Sequence, residues 1–398
     1  PIKSSAASDV YKRQVINISY TGSRSIIHRV IQIDFSSISA FLTGFSTYPQ
    51  PLRLRLRIFT IFFLYKQTHQ AVRKGELSTI MKLVFDKADL VKSVGIAMKA
   101  VSGKTTMPIL ECILIDASSN VIKFTSNDME LGIETIVTGM ILERGIVALD
   151  AKIFSEIVRK LPDNQVTIET DENLVTTITC EKAKFNIPGQ SGEDFSYLPI
   201  LETSDCVSIS QFTLKELIRQ TIFSIAANEN NKLMTGELFE IKDNTFRVVS
   251  LDGHRIAIRR IELKDSYPDR KVVVPGKTLN EISKILSGEM DDQIDIYFSE
   301  NHIMFKFDDT TVVSRLIDGE YFRIDQMLSS DYETKVTINK KEFLSCIDRA
   351  TLLVKEGDKK PIIIDIQDGA MELQINSAMG SMKEEIDINK EGKDIMIG

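Results

Sequence analysis

The sequence predicts an α+β protein of three repeated domains, each made of two helix-plus-sheet halves, with the third domain incomplete. Three observations carry that prediction. A strand-then-helix pattern occurs three times, its starts 124 and 129 residues apart. A second, helix-then-strand unit occurs twice at an offset of 125 residues. The chain of 398 residues, with 43% hydrophobic and 26% charged side chains, has an ordinary globular composition but exceeds what one compact core holds.

The elements follow in order. Leu83-Val-Phe-Asp-Lys-Ala-Asp-Leu90, Val207-Ser-Ile-Ser-Gln-Phe-Thr-Leu214 and Val336-Thr-Ile-Asn-Lys-Lys-Glu-Phe343 each open with alternating apolar residues, the strand signal. Each continues at helical spacing: Leu90, Val94, Met98 and Val101; Leu214, Ile218, Ile222 and Ile225; Phe343, Ile347, Ala350 and Val354. The second unit starts at Leu149-Asp-Ala-Lys and again at Val274-Pro-Gly-Lys, and each copy runs into an acidic turn and an alternating strand, near Val166 and near Ile294. One offset shared by two unlike units marks whole-domain repetition. The expected domains are 81–205, 206–330 and 331–398. Asp394-Ile-Met-Ile-Gly398 stands where Gly145-Ile-Val-Ala-Leu149 stands in the first copy. The third domain is therefore expected to hold its N-terminal half alone and to be poorly stabilised, roughly 50 residues short of its sisters.

Residues 1–80 differ from the rest. They carry 11 basic and three acidic side chains, a charge of +8, whereas 81–398 carries 38 basic and 53 acidic, a charge of −15. The segment is Ser/Ile/Arg-rich and holds no sustained helical or strand period. A targeting peptide, a basic nucleic-acid arm and a non-native or disordered leader all fit this composition. The regular pattern that begins at Met81 favours the last, and 1–80 is set aside. The longest uncharged apolar run, Ile58 to Tyr65, has eight residues, far short of a membrane span. Cys112, Cys180, Cys206 and Cys346 show neither a disulfide framework nor a CxxC zinc pattern.

Within the acidic remainder the cations recur at fixed places. Lys152 and Arg159 lie seven apart on one expected helix, Lys277 and Lys284 occupy the same two places in the second copy, and Lys92 and Lys99 repeat the spacing on the first helix. Arg219 joins them on the second domain's first helix. Any single pair reads as a solvated helix face. Repetition favours one stripe that binds phosphates by charge without reading bases. No helix-turn-helix, zinc-finger or RNA-recognition pattern accompanies it.

Catalytic signals are thin. Phosphate-binding glycine loops and the nucleophile-elbow motif are absent from the sequence. Asp252-Gly-His-Arg255 could offer an acid, a base and a cation, yet Asp-Gly reads first as a turn, and a partner-binding loop suits it better. Asp128 and Asp252 could be magnesium ligands of a nucleotidyl-transfer enzyme or nuclease. They are equivalent positions 124 residues apart, which places them in different domains and argues against a shared metal.

Five motifs carry a resemblance: Thr106-Met-Pro-Ile-Leu110, Asn127-Asp-Met-Glu-Leu131, Leu251-Asp-Gly-His-Arg-Ile256, Val274-Pro-Gly-Lys277 and Leu316-Ile-Asp-Gly-Glu-Tyr321. With them, 81–398 resembles the bacterial DNA polymerase III beta subunit family, the DNA sliding clamps. The resemblance implies a DNA clamp fold and a non-catalytic cytoplasmic homodimer with no cofactor and no metal. It implies a ring that encircles duplex DNA, with helices lining the hole, and tethers the replicative polymerase for processive replication. A clamp loader, and other polymerases and repair proteins bearing linear motifs, are the implied partners. Lys104, Lys277 and Lys284 match DNA-contacting positions. Met234, Leu251, Gly253, His254, Arg255, Ile256, Phe322 and Met327 match a peptide pocket between domains two and three. Phe322 stands where Pro is common, Gln326 replaces a familiar Arg, and the strand that walls the pocket is absent. Phe185 matches a ring-closing residue that meets Leu352 and Leu353 of a second subunit.

Overall fold

The computed structural model describes residues 81–103, 105–201, 206–227, 231–328, 332–354 and 362–398. They divide into two compact units, one ending at Asp318 and one spanning Gly319–Gly398. The basic segment 1–80 and Lys104 lie outside the described residues.

The first unit holds two sister repeats. In the first, strand Met81–Asp86 turns Met81, Leu83 and Phe85 inward by simple alternation and runs directly into helix α1, Lys87–Ala97. Leu90, Ser93, Val94 and Ala97 make the buried stripe of α1. Helix α2, Ala151–Lys160, buries Ala151, Phe154, Ser155 and Val158, and the Asp150 carboxylate caps it by accepting from Ile153 N at 2.7 Å. In the second repeat α3, Gln211–Thr221, is capped by Ser210, and α4, Gly276–Ile285, follows Pro275. Gly276 is there because backbone comes close. A Cβ would lie 2.9 Å from the Thr235 carbonyl oxygen and 2.4 Å from Ile225 Cδ1. In the first repeat, α1 packs beside α2; in the second, α3 packs beside α4.

Each repeat has its own core. Phe85, Phe124 and Phe154 stack edge-on, with centroids 6.0 and 6.2 Å apart, among Leu83, Leu90 and Val158. Phe239 and Phe246, 5.2 Å apart, sit with Leu214, Ile218, Leu279 and Ile282. The two repeats join through a 13-stranded antiparallel sheet, in which Leu131–Val137 pairs with Thr310–Arg315. Thr135 and Thr310 share a buried hydroxyl hydrogen bond of 3.0 Å across the seam. The second repeat's core reaches over the seam to Ala100, Leu131 and Ile133, with Ile96 packed against it. The end of α1 and the body of α4 thus share one apolar cluster.

The repeats differ in their strands. Gly236–Leu251 and Ile256–Pro275 are long strands, bent by register shifts around Asp243, whose φ is +52°. Their sister stretch in the first repeat is broken into five shorter strands.

The second unit opens with a one-turn helix, α5, Ile324–Met327, and continues with strand Thr334–Ile338 and helix α6, Lys340–Thr351, capped by Asn339. Cys346, Ile366, Met371, Leu373 and Ile386 form its core. Strand Ile395–Ile397 pairs with Ile363–Gln367 as Ile146–Asp150 pairs with Cys112–Asp116, which matches the placement of Asp394–Gly398 expected from the repeat. Among the described residues no helix is long and apolar enough to cross a membrane.

Candidate nucleic-acid interface

Lys92, Lys152, Arg159, Arg219, Lys277 and Lys284 are all exposed and stand on helices α1 to α4. Lys99 departs from expectation. α1 ends at Ala97, and Lys99 sits in the 3-10 turn Met98–Ala100, where the tighter winding breaks the seven-residue face. The turn carries it toward the second repeat. Lys99 Nζ lies 3.9 Å from Glu281 Oε2, and Lys284 Nζ lies 2.6 Å from Glu281 Oε1. One carboxylate of α4 therefore gathers cations from both repeats. Lys277 also crosses the seam, to Asp128. Arg219 forks onto Glu216, Nε to Oε1 at 2.7 Å and Nη2 to Oε2 at 2.6 Å, which holds the Glu216 carboxyl down at about 2. Arg159 donates to Ser155 O of its own helix at 3.4 Å.

Asp128 and Asp252 both work as turn caps. Asp128 Oδ1 accepts from Glu130 N and Leu131 N, and Asp252 Oδ1 accepts from His254 N and Arg255 N. The backbone N–H of His254 leads the causes that lower the Asp252 carboxyl. Left-handed residues follow each aspartate: Met129 at φ +76° and Gly253 at φ +88°. The 124-residue equivalence read from the sequence is thus a shared turn geometry.

Six residues of the expected peptide pocket belong to the first unit. Leu251 pairs with Ile256 across the Asp252–Arg255 turn; Leu251 is buried, Ile256 and Met234 are half-buried, and Gly253, His254 and Arg255 are exposed. Met234 O accepts from Ala226 N. Arg255 lies over the Phe223 ring, 5.7 Å from its centroid. Phe223, an exposed aromatic in the turn after α3, is a surface feature the sequence reading passed over. Phe322 and Met327 belong to the second unit, where the Phe322 ring meets Tyr321 edge-on at 5.5 Å and Met327 is exposed. Of the expected ring-closing residues, Phe185 is exposed on strand Ala183–Ser191, Leu352 is exposed just past α6, and Leu353 is half-buried.

The sequence reading also missed Glu237. It is fully buried at the start of strand Gly236–Leu251, and among the described residues neither carboxyl oxygen has a hydrogen-bond partner. Burial, the larger cause, raises its carboxyl to about 8 against a lowering by Thr221, whose hydroxyl donates to Leu217 O at 2.7 Å. The buried hydroxyl of Ser224 likewise has no partner among the described residues.

Known proteins match most of the described stretch. Residues 81–199, 208–322 and 325–398 match, in turn, the N-terminal, central and C-terminal domains of the DNA polymerase III beta subunit. The beta sliding clamp of Staphylococcus epidermidis is 33% identical over 319 residues, covering 78% of this chain and 84% of that protein. A crystal structure of a DNA polymerase III beta subunit from Eubacterium rectale aligns at 71% identity with a TM-score of 0.78, covering 80% of this chain and 87% of that one. The DNA polymerase sliding clamp of Bacillus subtilis aligns at 34% identity and a TM-score of 0.76, covering 79% and 86%. The repeat, the seam-spanning sheet and these three domains in tandem agree, and the chain belongs to the DNA polymerase III beta subunit family, the bacterial beta sliding clamps.

Proposed function

We propose that the chain encircles duplex DNA as a head-to-tail homodimer, grips it through the cations of α1 to α4, and tethers the replicative polymerase while it moves. It acts as a processivity subunit and leaves the chemistry to the polymerase. The observation that carries the reading is the convergence at the seam: the end of α1 and the body of α4 share one apolar cluster, and Lys99 and Lys284 meet at Glu281. Positive side chains on one helical layer of an otherwise acidic body attract phosphates there and repel DNA elsewhere.

The remaining assignments extend this reading. Lys104, Lys152, Arg159, Arg219, Lys277 and Lys284 are the proposed DNA contacts. Met234, Leu251, Gly253, His254, Arg255 and Ile256 in the first unit, and Phe322 and Met327 in the second, are the proposed peptide-binding residues for linear motifs of the polymerase, the clamp loader and repair proteins. Exposed Phe185 and Leu352, with Leu353, are the proposed subunit contacts, and 81–205, 206–330 and 331–398 the proposed domains. The test is topological. Loaded onto circular duplex by a clamp loader, the protein stays bound, and linearising the circle releases it. Equal retention on both forms sinks encirclement.

A further inference from the structure

The cations proposed to hold DNA are not equally available. In the second repeat each is held by an acid: Lys284 by Glu281, Arg219 by Glu216 and Lys277 by Asp128. Glu281 also holds Lys99. In the first repeat, Lys92, Lys152 and Arg159 are exposed, and among the described residues none forms an ion pair. Glu156 stands one turn from both Lys152 and Arg159 on α2 and pairs with neither.

This asymmetry has an electrostatic consequence. A lysine beside its own carboxylate brings little net charge to a phosphate, so it displaces few counterions from DNA. Exposed pairs of this kind are weak, and a phosphate can replace the carboxylate. Glu216 stays ionised through the neutral range, its carboxyl held at about 2 by Arg219, so the competition persists at working pH. Neither Glu216 nor Glu281 lies in a buried core, and their side chains are 30% and 22% exposed.

We propose that Glu216 and Glu281 are built-in competitors of the DNA phosphates, which loosen the grip of the second repeat and leave the first repeat to supply most of the electrostatic hold. The proposal deepens the clamp reading and rests on it. A ring that must travel gains from cations that let go easily, and an intramolecular acid supplies that release at every step.

The test is a salt titration of the full chain against a short fluorescent duplex at low ionic strength, read by anisotropy. Glu216→Gln with Glu281→Gln should raise affinity several-fold and steepen the dependence of log K on log salt by roughly 1.8, two added charges' worth. Lys152→Ala with Arg159→Ala should weaken binding more than Lys277→Ala with Lys284→Ala. Unchanged or reduced affinity in the double glutamine variant, with its melting transition intact, overturns the proposal. Should that variant melt early, Glu281→Ala alone is carried through the same titration, with about half the steepening expected and no change again overturning the proposal. The two readings fail separately. If Lys152→Ala with Arg159→Ala leaves binding unchanged, the helix face is not the DNA surface and both fall. If it weakens binding while the glutamine variants do nothing, only the competition falls.

Discussion

Helices α2 and α4 hold the same place in sister repeats, each with two cations seven residues apart, yet among the described residues the cations of α2 form no ion pair and those of α4 are paired with acids. Repetition has kept where positive charge is placed without keeping how strongly it acts. The same lesson holds inside the sheet. Glu237 pairs with Val274 at the register where Ile113 pairs with Leu149 in the first repeat. An apolar side chain fills that site in one copy, and a buried carboxyl, without a partner among the described residues, fills it in the other.

The Glu237 contrast offers the largest effect. In the folded chain its carboxyl keeps a proton up to about pH 8, whereas the unfolded chain releases it near the ordinary value of 4.5. The folded state thus binds more protons across that window. Stability should fall as pH rises through it and then level off, with a slope of up to about 1.4 kcal/mol per pH unit. Glu237→Ile copies the first repeat and should remove the slope. At pH 8 it should stabilise the protein by on the order of 3 kcal/mol, and by little at pH 5. Urea unfolding of both proteins at the two pH values measures this. A slope that survives the substitution would show that another group causes it.

Next comes the seam. Asp128 has a side chain only 5% exposed, caps two backbone N–H groups and meets Lys277 across the repeats. Asp252 caps its turn in the same way, but its cation, Arg255, belongs to that turn. Asp128→Ala should therefore cost about 2 kcal/mol and Asp252→Ala distinctly less. Equal losses in thermal melts would mean that the cross-seam pair adds no more than Arg255 adds within its own turn.

What was legible in the sequence was local. Apolar spacing located α1 to α4 and α6, because a helix stripe repeats within a few residues. The partners Glu216–Arg219 and Glu281–Lys284 are three residues apart and were within reach of the same reading. The seam was not legible, because Lys277 and Asp128 are 149 positions apart and nothing in either neighbourhood names the other. Lys99 was assigned to the α1 face because sequence spacing does not reveal the change to 3-10 winding after Ala97. Glu237 was invisible for a different reason: a single glutamate beside apolar residues reads as a solvent-facing strand position, and only tertiary packing shows that both sides are covered.

The smallest effect tests whether the two turns are one geometry. Met129, at φ +76°, adopts a backbone conformation that costs an L-residue about 1–2 kcal/mol, while Gly253 adopts the sister conformation, φ +88°, freely. Met129 is 59% exposed, so removing its side chain forfeits little burial. Met129→Gly should then stabilise by up to about 1 kcal/mol, the backbone relief exceeding the extra entropy glycine loses on folding. Gly253→Ala, where a Cβ meets nothing within 4 Å, should destabilise by about 1 kcal/mol through backbone strain alone. Shifts of opposite sign in urea midpoints would make the turns interchangeable. A loss of stability in Met129→Gly would instead mean that the methionine side chain holds the first turn, and that the repeats share a backbone shape reached by different means.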